Sequence, residues 1–162
     1  MRSQLEIRFA ATLEKREIHW QYEPERLGEI ALELARGHFE RRPSANPIAA
    51  YADRLDEHLR FVIDDGGDAY DRYAFASIRQ CGSGYAFTAD HLRWLANLGL
   101  EPDATSDAAE AFQEISARAT KLILKMARIA HSGRLRDLAE DFRVMAEAWD
   151  RGMRRLEAGL SR

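Results

Sequence analysis

Residues 70–95, YDRYAFASIRQCGSGYAFTADHLRWL, hold the only cysteine of the chain, two glycines one residue apart and the consecutive polar trio Arg79, Gln80 and Cys81. At helical spacing Ala74, Ile78, Cys81, Tyr85, Thr88, Leu92 and Leu95 fall on one face, in steps of three and four. A face that mixes apolar bulk with small residues suits a central helix, because the small residues let a neighbour come close. Gly82-Ser83-Gly84 is therefore expected to kink this helix or to admit a close helix contact, and Gly84→Leu to overpack that contact.

The segments on either side are helical too. Downstream, Phe112, Ile115, Ala119, Leu122, Met126 and Ile129 make one stripe that stops at Ser132-Gly133. Its start is expected at Asp107 with Glu110, after a loop from Gly99 that contains Pro102. Leu135, Leu138, Phe142, Met145, Trp149, Gly152 and Leu156 then repeat in alternating steps of three and four, the pattern of a bundle seam. Upstream, Asp64-Asp65-Gly66-Gly67-Asp68 reads as a stop, with Asp68 capping the central helix. Its acids lack the alternating spacing and terminal Glu of a calcium loop.

Before that stop, Asn46 caps a helix that opens on Pro47 and runs to about Ile63, with Ile48, Tyr51, Ala52, Leu55, Leu59 and Val62 inward. The preceding loop, Pro43 to Pro47, is the clearest in the chain. Pro24 opens another helix, with Leu27, Ile30, Leu34 and Phe39 facing inward and Gly28 and Gly37 weakening it. Ser3 and Glu6 form a capping box for a first helix, followed by a short strand or extended clamp at residues 18–22. The expectation is an all-α, single-domain bundle of five to six helices over residues 1–162. Residues 1–27 form its N-terminal helix and clamp, and residues 28–162 its core.

Composition narrows the function classes. The chain has 162 residues, 46% apolar and 31% charged, which suits one soluble domain with a real core. No apolar run is long enough to span a bilayer, and the N-terminus has no continuous apolar signal region. A formal charge of −3, with cations and acids spread evenly over both halves, argues against nucleic acid. One cysteine forms no internal disulfide, which fits a reducing cytoplasm.

Known chemistries find little purchase. None of the five histidines (19, 38, 58, 91 and 131) follows a Glu by three residues, as a di-iron bundle requires, and one cysteine without a histidine cluster does not make a zinc site. No metal or other cofactor is expected. Cys81 reads as a small buried hydrophobe, since a mid-helix thiol lacks the pKa depression of a helix N-terminus and His91 lies ten residues on. Arg79 reads as paired to an acid such as Asp71 or Asp141. Arg118, Lys121, Lys125 and Arg128, three and four apart, read first as a solvated cationic face or a partner for an acidic helix, and second as a dock for a phosphate or a carrier protein. Trp20, Trp94 and Trp149 read as core or seam residues.

ARGHFERRPSANPIAAYADRL, DAYDRYAFASIRQCGSGYAFTADHLRWL, ATKLILKMARIAHSGRLRDL and MAEAWDRGMRRL together resemble the C-terminal, helical half of a bacterial family of unknown function. Longer members have a papain-like N-terminal half similar to butirosin-type aminoacyl transferases. The resemblance implies a place where amino acids are loaded onto carrier proteins. It covers about Leu34 to Leu156, and nothing in the chain matches the papain-like half, so that half's Cys–His pair transfers to no residue here. Cys81 matches a cysteine of the helical half. The first 27 residues are similar to the helix-then-strand opening of restriction-endonuclease-like nucleases, without the Asp and Glu-x-Lys that such a site needs.

Two functions follow as expectations. The first is a non-enzymatic helical binding or accessory module, with a carrier protein or an aminoacyl-transfer component as partner. The alternative is a small-molecule-binding protein or enzyme with a pocket lined by Tyr73, Arg79, Gln80, Cys81 and Tyr85, and with Lys121 or Lys125 neutralising an anion. The seam of the last helix serves an intrachain bundle or a homodimer equally well.

Overall fold

A computed structural model describes residues 23–160, all-α as the periodicity predicts and without strands among those residues. The expected helix at Ser3, the extended segment at 18–22 and Trp20 lie outside the described residues. Helix α1 spans Pro24–Glu40, α2 Pro47–Ala52 and α3 Leu55–Asp65. A helical turn at Gly67–Ala69 and a π-helical turn at Tyr70–Phe75 lead directly into α4, Ala76–Asn97. Helices α5, Pro102–Ser132, and α6, Ala139–Leu160, complete the described residues.

The spine is α5. Its expected stripe is wholly buried: Phe112, Ile115, Ala119, Leu122, Met126 and Ile129 are all at 1% exposure or less. Helices α4 and α6 pack along its two sides, and small residues bring them in. A Cβ on Gly82 would lie 3.1 Å from Ala119 Cβ, and one on Gly152 would lie 2.5–3.0 Å from three ring carbons of Phe112. The close contact in α4 is thus at Gly82, whereas Gly84 is exposed with nothing within 4 Å of an added Cβ among the described residues. That overturns the expectation for Gly84→Leu. The seam of α6 holds from Leu138 to Leu156, while Leu135 lies before the helix and is 56% exposed.

Several boundaries differ from expectation, each for a physical reason. The α5 helix starts five residues before Asp107, because Pro102 occupies its first position and the buried Thr105 hydroxyl donates back to Glu101 O at 2.9 Å. The helix expected over 47–63 breaks at Asp53-Arg54, so α2 and α3 pack separately. The stop at Gly66 is real, with φ +67°, but Asp68 caps nothing: its carboxylate takes Arg72, one turn on. The π-turn that follows lets the Tyr70 hydroxyl donate to Ile123 O on α5, at 3.0 Å. In α1 Gly28 and Leu32 are buried and Phe39 packs partly buried against the core as expected, whereas Leu34 is 61% exposed. Gly28 sets this face, since a Cβ there would meet Leu98 at 2.6 Å.

Asn46 behaves as predicted and does more. Its Oδ1 accepts from Ile48 N and Ala49 N, capping α2, while its Nδ2 donates to Ala146 O and Asp150 Oδ1 on α6. One side chain therefore fixes the start of α2 and clips it to the bundle. Asn46→Ala should cost about 1–2 kcal/mol in a urea titration, more than an exposed cap alone. Gly152→Ala should cost about 1–3 kcal/mol, since an aromatic ring blocks the new methyl, whereas Gly84→Ala should be neutral or stabilise by up to about 1 kcal/mol. The same titration compares the two. Equal behaviour of the two glycine variants would contradict the packing described.

A candidate binding trough between α4 and α6

Because α4 and α6 both lean on α5, a trough runs between them with α5 as its floor. Helix α1 lies across one part and α2 across the other, and neither fills the space beneath it. Under α1 is a groove of about 570 Å³, walled by His91 and Leu92 of α4, Phe112 of α5 and Leu156 of α6. Leu34 on its α1 side is 61% exposed and Phe87 on its α4 side is 75% exposed. Under α2 is a cleft of about 280 Å³, walled by Ile48 and Tyr51 of α2, Ile78 and Cys81 of α4, Leu122 of α5 and Phe142 of α6. Tyr85 lines both. Its ring packs on Phe112 at 5.4 Å, and burial, reinforced by Cys81, pushes its phenol up to about 12.

Of the residues singled out in the sequence, Cys81 and Tyr85 meet in the cleft. Arg79 and Gln80 are exposed and line neither cavity, which corrects the pocket expected around Arg79, Gln80 and Cys81. They sit on the outward side of α4, and the Arg79 guanidinium lies 5.6 Å from the Phe75 ring centre. No acid is within ion-pairing distance of Arg79 among the described residues, so the expected pairing to Asp71 or Asp141 does not form. Cys81 is half-buried, and burial pushes its thiol pKa up. That environment opposes thiolate formation and so opposes nucleophilic use. His91 belongs to the groove and Cys81 to the cleft, so the two do not pair.

Tyr73 stands apart, in an aromatic cluster that joins α2, α3 and the π-turn. Its hydroxyl and His58 Nδ1 share a hydrogen bond of 2.9 Å, and the Tyr51 ring stacks on the His58 ring at 4.3 Å. The Tyr51 hydroxyl is buried without a partner among the described residues, and burial, then the nearby Tyr73 phenol, raises its pKa. Burial and then Arg54 lower the pKa of His58, opposed by Glu57. This cluster was not legible as a unit, because its members come from three separate segments.

The four cations on α5 divide into two pairs. Lys125 Nζ reaches Asp141 Oδ2 at 2.5 Å and Arg118 lies 3.6 Å from the other oxygen, so both turn toward a carboxylate buried at the start of α6. Lys121 and Arg128 have no ion-pair partner among the described residues and stay exposed. They share a stripe with the 61%-exposed Leu124 and with His131, at steps of three and four. No grouping of three or more His, Cys, Asp and Glu side chains suited to a metal occurs among the described residues. No described helix is long and apolar enough to cross a membrane.

Fold and site together define an all-α bundle with an apolar trough on one side of its spine and a cationic stripe on the other. The chain belongs to the DUF1839 C-terminal domain family, whose model matches residues 24–158. That is the helical half of a family of unknown function, as the sequence resemblance implied. No curated protein and no solved structure matches it.

His58 makes the aromatic cluster sensitive to pH. Its folded pKa lies below the ordinary value of 6.5, so the unfolded chain binds the proton more readily. Its contribution is complete above pH 6.5 and is lost as pH falls toward the folded pKa. Urea midpoints should therefore fall on acidification below pH 6.5, and His58→Gln should flatten that part of the profile. An unchanged profile in the variant would place the sensitivity elsewhere.

Proposed function

We propose that this domain is a non-enzymatic binding module that docks an acidic carrier protein, or an acidic component of aminoacyl transfer, on the outer face of α5. The observation that carries this reading is the division of the α5 cations. Asp141 engages Arg118 and Lys125, whereas Lys121 and Arg128 flank an exposed leucine with no acid against them among the described residues. A cation–leucine–cation stripe gives a partner helix one apolar contact and two charges that fix its register. It also speeds encounter with a negative partner at low salt. The carrier-protein class comes from the family resemblance, and the acidic character from the charge of the stripe.

Titration with a holo acyl carrier protein at low ionic strength tests the reading by calorimetry. Saturable binding that weakens with added salt is expected. Lys121→Glu with Arg128→Glu should lower affinity at least tenfold without changing the urea midpoint, since both side chains are exposed. Absence of wild-type binding, or equal affinity in the charge-reversed variant, would contradict it.

A further inference from the structure

The groove and the cleft are walled by the same two helices and floored by a third, and their positions advance together along all of them. On α4 the cleft begins at Ser77 and the groove ends at Leu92, a run of about 22 Å at 1.5 Å per residue. On α5 the floor passes from Leu122 to Phe112, and on α6 the wall passes from Phe142 to Leu160. The two spaces are therefore parts of one trough, separated by the Tyr85 side chain that lines both.

The polar content of the trough is one-sided. Among the described residues no ionisable acid lines either space, although Glu157 pairs with Arg42 from just outside the groove and the chain has more acids than bases. The groove carries His38, Arg42 and His91 at its rim, and the cleft carries no charged residue among the described ones. Arg42 is only partly engaged: it donates to Glu157 at 2.9 Å and to Phe39 O at 3.1 Å, while its guanidinium lies 3.8 Å over the Phe39 ring. His38 Nδ1 faces the Arg41 guanidinium at 3.5 Å, and His91 packs against Trp94. An apolar channel with basic groups at one part and none elsewhere matches an amphiphile with a long hydrocarbon chain and an anionic head. A compact polar metabolite would leave most of this apolar lining unused.

We infer that the trough binds a long-chain carboxylate, with its head group at the His38/Arg42 rim and its hydrocarbon chain passing Tyr85 toward Cys81. The Tyr85 ring must turn aside for the chain to occupy both spaces. Its phenol, held neutral by burial, presents no charge against the chain. Cys81, in the cleft wall beyond Tyr85, is then a built-in reporter of how far the chain reaches.

The test uses the intact chain with palmitate below its critical micelle concentration. Native mass spectrometry should show one palmitate bound, and N-ethylmaleimide should alkylate Cys81 at least fivefold more slowly in its presence. Hexanoate, too short to pass Tyr85, should give no protection. Arg42→Gln and His38→Gln should each weaken palmitate at least threefold while leaving hexadecanol binding unchanged. Using both variants guards against a fold defect from losing the Glu157 contact, which an unchanged melting temperature would exclude. Failure of palmitate to bind would overturn the inference. So would binding without Cys81 protection, or equal loss of palmitate and hexadecanol in the variants. Because Lys121 and Arg128 lie outside the trough, their charge reversal should leave palmitate binding intact, so this outcome is independent of carrier-protein docking.

Discussion

The close approach of α4 and α6 to α5 is the constraint on which the rest of the structure depends. Three glycines make it, the third being Gly159 of α6, where a Cβ would collide with Ala104 Cβ on α5. Gly82 lets α4 settle against Ala119, and Gly152 lets α6 settle on the Phe112 ring. Methyl groups at these positions would push both helices outward by forcing side chains or backbone to move in a close-packed interior. With both helices drawn onto one spine, the space between them opens away from α5. Helix α1 and the short helix α2 then bridge that space without closing it.

The same constraint divides the two faces of α5. The inner stripe of α5 is used up in packing, so its outer stripe is free to carry charge. Asp141, buried where α6 begins, takes two of the four α5 cations and holds α6 in register with the spine. Removing its carboxylate would leave Arg118 and Lys125 as solvated surface cations and would erase the distinction between structural and exposed cations on that helix. The His58, Tyr73 and Tyr51 cluster plays the corresponding part on the other side, tying α2, α3 and the π-turn together where the chain changes direction.

Much of the fold was legible because its longest helices follow strict apolar periodicity. The α5 stripe and the α6 seam lie where steps of three and four put them, and the Asn46 cap and Gly133 stop fall at their expected positions. What periodicity missed are the contacts made by small residues. Helical spacing puts Leu34 inward, yet α1 packs through Gly28 and Leu32, with Phe39 partly buried against the core, and leaves Leu34 at the groove. Gly84 and Gly82 are indistinguishable by composition, and only their rotation relative to α5 separates them. The site was less legible still. Cys81 and Tyr85 were correctly placed on one face, but Arg79 and Gln80, their neighbours in sequence, occupy the next faces around the helix and point outward.

Amide hydrogen exchange followed residue by residue in α5 tests the central role of this helix most directly. If α5 is the spine, its amides from Ala108 to Ile129 should be the slowest in the molecule and exchange only through global unfolding, while α1 and α2 open more readily. Faster exchange in α5 than in α4 or α6 would contradict the account, since a helix packed on both sides cannot open before its neighbours separate from it.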